Sequence, residues 1–253
     1  MSGSSRPVAP GDVSQAGAGA TSPASLADTI LVVRHPTARR VKLSFDPLSG
    51  RVRLTIPKRA SAAKALTWAA DYGDWIEAQR ARLPQARPFH DGAQIPFDDD
   101  LLTIAWQPGR SRVVRREGDQ LHLSGPSETI ARRVEAWLKR EALSLLEQDT
   151  RFYAAKAGIA VERVSIGDPR GRWGSCTSAG AIRYSWRLAL APSAVRRATA
   201  AHEVAHRIHM DHSPAFHALV ERLYGSDPTP HRQWLRTHGA VLHWYGRSST
   251  GGD

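Results

Sequence analysis

Residues 193–217 read SAVRRATAAHEVAHRIHMDHSPAFH, and this stretch determines the fold and the function that we predict for the chain. The part before residue 211 contains no glycine and no proline. Its apolar residues recur at helical spacing, which predicts an α-helix over residues 193–210. Pro192 and Ser193 are typical of a helix start, with the serine as N-cap.

This helix contains two histidines that can bind one metal ion. His202 and His206 are four residues apart, so both imidazoles project from the same face. Two neutral imidazoles at this spacing can share one Zn²⁺. Glu203 lies close to them without being aligned as a ligand, which suits a general base that acts on water. His212 can complete a set of three histidines and leave a fourth position open.

Two further histidines receive other interpretations. His209 lies one turn beyond His206, and we interpret it as a surface residue in preference to one that supports the ligands. Pro214 disfavours helix at the residue before it, which predicts a break in the chain near His212. A second helix is predicted from residue 214 to a stop at residue 225. His217, in that helix, is expected to be solvated.

Four motifs resemble one known family. Residues 202–217 resemble the HExxH-x5-H-S-x-x-F signature of the YgjP-like metallopeptidases, which are related to the SprT-like and WLM zinc proteases. RWGSC at residues 172–176 resembles the block that precedes the active-site helix in that family. YSWRLALAP at residues 184–192 resembles its strand motif, with Ser185 where asparagine is usual. Residues 230–235 resemble its closing P-x-x-x-W-L element.

The resemblance implies a zinc-dependent peptidase that acts on a protein or peptide substrate. It implies three zinc ligands, which are His202, His206 and His212. It also implies Glu203 as the catalytic glutamate and a zincin-like fold in which strands precede the HExxH helix. Metzincins fit less well, because they have glycine where His209 stands and a Met-turn that this chain lacks. Gluzincins would need Glu221 as third ligand, a poorer candidate than histidine at 212.

Composition limits the class of protein. The 253 residues are enough for one domain or two small ones. The single cysteine cannot form an internal disulfide, which fits a reducing compartment. Residues 1–27 predict a disordered tail and not a secretory signal, since they are rich in Ser, Gly, Ala and Pro. No stretch approaches the roughly 20 apolar residues of a membrane span. We therefore predict a cytoplasmic protein.

The formal net charge of +11 favours polyanionic partners. Because most charge runs are solvated faces, association with nucleic acid is the weaker prediction. It leads to an alternative function, a zinc-stabilised, nucleic-acid-associated binding protein with little or no catalysis. That alternative leaves Glu203 without a role. Basic residues are concentrated in six stretches: residues 34–42, 58–59, 110–116, 132–140, 163–172 and 196–197.

The chain before residue 126 is rich in strand patterns. Residues 29–57 predict a β-hairpin with its turn at residues 46–50, and residues 101–125 predict a short β-meander. Between them, a helix over residues 61–82 and a loop over residues 84–100 are predicted. Two tryptophans of the helix, at positions 68 and 75, are expected in the core. The acidic run at positions 98–100 is expected to be a solvated turn.

The chain after residue 125 predicts the catalytic half. A helix over residues 127–157 is followed by strands near residues 161–168 and 181–190, and then by the HExxH helix. We therefore predict an α+β fold with a β-rich N-terminal half and a zincin-like metallopeptidase half. The predicted regions are a tail at 1–27, a β-rich region at 28–125, a metallopeptidase region at 126–246 and a tail at 247–253.

Hydrolysis of a peptide bond also requires a donor for the developing oxyanion. The sequence offers three candidates without ranking them: Arg172, Tyr184 and Tyr224. Trp173 is expected in the core, and Cys176 is expected to be a buried small side chain and not a nucleophile.

Overall fold

The computed structural model describes residues 30–109 and 113–248. The predicted tail at 1–27 and the last five residues lie outside the described residues. The chain divides into two compact units, with the boundary between Arg82 and Leu83. The described residues contain both helices and small sheets, so the predicted α+β class is confirmed.

The first unit contains a three-stranded sheet in the order β1-β3-β2. Its strands are β1 (Ile30–His35), β2 (Lys42–Asp46) and β3 (Arg51–Pro57). The predicted hairpin is formed by β2 and β3, which are antiparallel. Its turn is stabilised by Asp46, whose carboxylate accepts hydrogen bonds from the backbone of Leu48 and the hydroxyl of Ser49. Strand β1 pairs with β3 in parallel orientation, which the hairpin prediction did not include.

Two short helices follow where one was predicted. They are α1 (Ala62–Ala70), which begins after the N-cap Ser61, and α2 (Gly73–Ala81). The break falls beside glycine 73, a residue with low helix propensity. The expectation that both tryptophans lie in the core was wrong, because residues Trp68 and Trp75 are 36% and 39% exposed. The helices bury alanines and Ile76 against β3 instead.

The second unit begins with a four-stranded sheet in the order β4-β5-β7-β6. Its strands are β4 (Gln94–Phe97), β5 (Asp100–Trp106), β6 (Arg115–Glu117) and β7 (Gln120–Leu123). The predicted loop over 84–100 was wrong at β4, which contains Pro96. Proline is tolerated there because β4 is an edge strand. Asp98 and Asp99 have positive φ angles of 49° and 70°, which suit the tight turn between β4 and β5.

A long helix, α3 (Ile130–Ala157), follows a short 3₁₀ turn and confirms the predicted helix over 127–157. It ends at Gly158, whose φ of 68° is a left-handed C-cap. The sequence had grouped β4–β7 with the N-terminal half. In the structure these strands share a core with α3, where the rings of Phe97 and Trp137 are 5.1 Å apart.

The third sheet has the order β8-β10-β9. Its strands are β8 (Arg163–Gly167), β9 (Gly174–Cys176) and β10 (Ala181–Ser185). Strand β10 lies in the centre, parallel to β8 and antiparallel to β9, so β8 and β9 are the two edge strands. The predicted strand over 181–190 ends early, because residues Trp186–Leu190 form a 3₁₀ helix. The hydroxyl of Ser185 accepts a hydrogen bond from the backbone N–H of Arg187 at its start.

Three helices complete the second unit. They are α4 (Ser193–Ala205), α5 (Pro214–Tyr224) and α6 (Thr229–Leu242). Helix α4 is shorter than the predicted 193–210, and the chain turns after it through 3₁₀-type hydrogen bonds from residues 207 and 208. Helix α5 ends at Gly225 as predicted. None of the helices in the described ranges is both long and apolar enough to span a bilayer.

Candidate metal centre

Three histidines converge where α4 ends and α5 begins. His202 lies in the last turn of α4, His206 caps that helix, and His212 lies in the connection to α5. One ring nitrogen from each residue lies within 4.8 Å of the others. The early end of α4 explains this convergence, since the chain must leave the helix after His206 to return His212 to the same face.

The spacing of two of the ring nitrogens fits a tetrahedral metal ion. The Nε2 atoms of His202 and His212 are 3.4 Å apart. Two nitrogens at normal zinc distances on a tetrahedral ion would also be about 3.4 Å apart. The Nδ1 of His206 is 3.1 Å from the carbonyl oxygen of His209, which favours a proton on Nδ1 and leaves Nε2 as the available ligand atom.

Residue 209 therefore contributes to the site through its backbone. The sequence placed its side chain on the helix face beyond His206, but α4 has ended before that position. The carbonyl of His209 orients the ring of His206 instead. The imidazole of His217 is exposed, as expected, and its ring centroid is 6.2 Å from that of His212.

A buried aromatic ring lies against all three histidines. The ring centroid of Phe216 is 4.9 Å from His202, 4.5 Å from His206 and 4.8 Å from His212. Phe216 is fully buried in α5, and its backbone N–H donates to the N-cap Ser213. This packing restricts the rotation of the imidazoles and excludes water from one side of the cluster.

The environment favours neutral imidazoles, the form that binds a metal. Burial and the neighbouring rings of His206 and His212 lower the pKa of His202 to about 3. Burial also lowers the pKa of His206. Arg232 of α6 contributes to the shift at His202, so a cation that the sequence did not single out lies close to the cluster.

Glu203 follows His202 in α4 and presents a buried carboxyl group. Only 5% of the residue is exposed. Burial raises the pKa of Glu203 to about 7, although the positive charge of Arg172 opposes this shift. A carboxyl group with this pKa can both accept and release a proton near neutrality, which a general acid–base catalyst requires.

The carboxyl group of Glu203 packs directly on the backbone of β9. A Cβ atom added to Gly174 would lie 2.6 Å from Cδ of Glu203 and 2.7 Å from its Cγ. Only glycine leaves room for this approach. The close packing of Glu203 therefore explains why glycine occupies position 174 of RWGSC. Sequence analysis identified the motif but not this reason.

The remaining residues of RWGSC have distinct surroundings. The ring of Trp173 packs over Gly239 of α6 and against His243, so it holds the start of β9, as a core residue would. Burial raises the pKa of the Cys176 thiol, which disfavours the thiolate that a nucleophile needs. Trp173 packs as predicted and Cys176 does not resemble a nucleophile, but both residues are only half-buried.

A family model described as YgjP-like, metallopeptidase domain, matches residues 39–238. The chain belongs to the YgjP-like metallopeptidase family. Comparison with curated proteins gave no match, and neither did comparison with solved structures. The family is one of peptidases, which act on protein or peptide substrates and depend on a metal cofactor.

This YgjP-like chain has three candidates for the oxyanion donor. The hydroxyl groups of the two tyrosines among them bond to other residues, away from the histidines. Tyr184 is fully buried, and its hydroxyl is 3.0 Å from that of Thr150. The hydroxyl of Tyr224 is 2.8 Å from Nε2 of His231 and 3.4 Å from the carbonyl of Ala194, at the opposite end of α4 from the histidines. The exposed Arg172, whose charge reaches Glu203, remains the candidate.

The acidic run at 98–100 contains the largely exposed turn that was predicted, and two of its carboxylates also anchor α4. Asp98 pairs with Arg196 of α4, which is 4% exposed and also donates a hydrogen bond of 2.7 Å from Nε to the carboxylate of Asp149 in α3. Asp99 accepts a hydrogen bond from the backbone N–H of Ser193 at 2.8 Å. The serine is thus the first helical residue and not the N-cap, because a distant carboxylate satisfies its N–H. The arginine is buried in ion pairs, so it is unavailable to a polyanion.

Proposed function

We propose that this YgjP-like protein is a zinc-dependent peptidase with a zincin-like active site. In this proposal Zn²⁺ is held by His202, His206 and His212, and Glu203 is the general base. The observations that support it most directly are the convergence of three imidazoles at the end of α4 and the buried carboxyl group of Glu203 in the same helix. The distance between the Nε2 atoms of His202 and His212 suits zinc, and the edge strand β9 of the third sheet contacts the carboxyl group of Glu203.

When bound, zinc supplies Lewis-acid chemistry, because it polarises a carbonyl and acidifies water. Glu203 takes the proton of the attacking water and later gives it to the leaving amine. Its raised pKa allows both transfers, and Gly174 fixes where the carboxyl group lies. Arg172 provides positive charge on the exposed side of the site, where the oxyanion develops.

The edge of β9 offers a binding strand for an extended peptide. The carbonyl of Trp173 and the N–H of Thr177 bond to β10, at 2.8 Å and 3.0 Å. Because the direction of these groups alternates along a strand, the N–H and C=O of Gly174 and Cys176 point to the free edge. A peptide that pairs with this edge passes beside Glu203, so its carbonyl groups can reach the proposed centre.

This proposal predicts a metal-dependent protease activity. The protein would be purified without chelators and incubated with a fluorescently labelled, unfolded protein as substrate. We expect degradation that stops on removal of zinc and returns when zinc is added back. Degradation that continues in verified metal-free protein would contradict the proposed role of the histidines.

The remaining features of the proposal concern location and partners. We propose that the protein acts in the cytoplasm on protein or peptide substrates, since a single cysteine suits a reducing compartment. The alternative of a nucleic-acid-associated binding protein without catalysis gives no role to the buried Glu203. The contact between that carboxyl group and β9 therefore supports the peptidase.

A further inference from the structure

A polar cleft lies on the third sheet, next to the proposed peptide-binding edge. Its volume is about 230 Å³. Five residues line it: Asp168, Pro169, Arg172, Ser175 and Arg183. We call it the arginine cleft. Ser175 and Arg183 are paired in register on β9 and β10, so both side chains project from the same face of the sheet.

The carboxyl group of Glu203 lies on the opposite face of this sheet from the arginine cleft. Gly174, which touches the carboxyl group of Glu203, immediately precedes Ser175 on β9. Since successive side chains of a strand point to opposite faces, the cleft opens on the outer face at the adjacent residue. A peptide paired with the edge of β9 would present alternate side chains to the site of Glu203 and to this cleft.

The position of one guanidinium group is set by a glycine. A Cβ atom added to Gly167 of β8 would lie 2.5 Å from Nη2 and 2.7 Å from Nε of Arg183. The guanidinium group therefore lies flat across the backbone of β8. Because residue 167 has no side chain, nothing from that position covers the arginine.

The cleft has an excess of positive charge. Asp168 is bound by Arg187, with hydrogen bonds of 2.7 Å and 2.9 Å to its two carboxylate oxygens. Burial opposes ionisation of Asp168, but this arginine holds its pKa below the ordinary value. Within the described residues, the guanidinium groups of Arg172 and Arg183 make no hydrogen bond or ion pair. Since the charge of Arg172 is assigned to the oxyanion, the positive charge of Arg183 remains for a ligand in the cleft.

We propose that the arginine cleft binds a carboxylate of the peptide substrate, either an acidic side chain or the C-terminal group. Guanidinium groups bind carboxylates through paired, charge-assisted hydrogen bonds. The inference rests on the proposed peptidase function, because it takes the peptide to lie along β9. It makes Arg183 a specificity residue that acts at a distance from the reacting bond.

Peptide binding can be measured apart from hydrolysis. The probes are fluorescein-labelled decapeptides of alanine, serine and threonine, each with one glutamate or one glutamine at a given position and an amidated C-terminus. A second set has a free C-terminus and no glutamate. Each is titrated into zinc-loaded Glu203→Gln protein, and the fluorescence anisotropy gives the Kd. Arg183→Gln in the same background is compared with Arg163→Gln, which removes an exposed arginine of β8 outside the cleft.

We expect one glutamate position, or the free C-terminus, to tighten binding about fivefold over its neutral counterpart. This preference should disappear in Arg183→Gln and persist in Arg163→Gln, and Arg183→Glu should favour lysine instead. Gly167→Ala, which displaces the guanidinium group, should weaken the preference. If the glutamate peptides show the preference, the cleft binds an acidic side chain. If the peptides with a free C-terminus show it, the cleft binds the C-terminal carboxylate.

Equal binding of acidic and neutral peptides at every position would overturn the inference. A titration with a single-stranded oligonucleotide gives the other contradicting result: salt-sensitive DNA binding lost in Arg183→Gln, without any peptide preference, would assign the cleft to phosphate. Failure of the peptidase proposal is separate, since it would appear as loss of metal or of hydrolysis in the wild-type protein.

Discussion

Gly174 and Glu203 are in contact, and the contact joins β9, an edge strand of the third sheet, to the HExxH helix. An added Cβ at residue 174 would lie 2.6 Å from the carboxyl carbon of Glu203. We predict that Gly174→Ala displaces this carboxyl group and lowers kcat by about 100-fold, because small displacements of a catalytic group are costly. Metal content should be unchanged, since the substitution does not reach the histidines.

Gly171→Ala is the matched control for this prediction. A Cβ added at residue 171, in the loop before the same strand, has no heavy atom within 4 Å. Its rate of hydrolysis and its metal content should equal those of the wild type. Normal activity in the alanine variant at 174 would show that the glycine does not position Glu203.

Phe216 should support metal binding without being a ligand. Its ring packs against all three histidines, so Phe216→Leu should loosen them and weaken zinc binding by about tenfold. Competition with a chromophoric chelator measures the affinity. Leu219→Ala removes buried volume from the same helix away from the cluster. If both variants lose zinc equally, the effect comes from the stability of α5 and not from ring packing.

Zinc should stabilise the folded protein through the three histidines. An ion that binds only the folded state, at a concentration 100 times its Kd, adds about 2.7 kcal/mol to the free energy of unfolding. We therefore expect zinc to raise the Tm of the wild type and of His217→Ala, and to leave the Tm of His206→Ala unchanged. A zinc-dependent rise in the latter variant would place the ion elsewhere.

The ion pairs of Arg196 should stabilise the position of the HExxH helix. Asp149→Asn leaves this buried guanidinium group with one carboxylate fewer and should lower the free energy of unfolding by about 3 kcal/mol. Glu147→Gln, in the exposed pair with Arg151 on the same helix, should cost less than about 1 kcal/mol. Denaturant unfolding of both proteins measures the difference, and equal losses would contradict the account.

The sequence was sufficient for features that depend on local spacing. Nearby residues predict three features that the structure confirms. They are the helix that contains HExxH, the end of the long helix at Gly158 and the end of the next-to-last helix at Gly225. The family was also recognisable from its motifs, and the family match confirms it. The roles of the histidines and of Glu203 stay predictions until metal and activity are measured.

Features that depend on distant residues could not be predicted. Asp99 satisfies the backbone N–H of Ser193, which lies 94 residues later, and no local pattern indicates this contact. The space that Gly174 leaves for Glu203 likewise depends on how β9 packs against α4. The tryptophans at positions 68 and 75 were misplaced because their seven-residue spacing shares a face only in a continuous helix.

The most direct test compares wild type with Glu203→Gln in two measurements on the same samples, zinc content by elemental analysis and hydrolysis of an unfolded protein. We predict that both proteins hold one zinc ion per chain and that the variant loses hydrolysis by at least about 100-fold, because it lacks the general base. His206→Ala should lose both properties. A wild-type protein without stoichiometric zinc, or a variant that cleaves at the wild-type rate, would contradict the proposed mechanism.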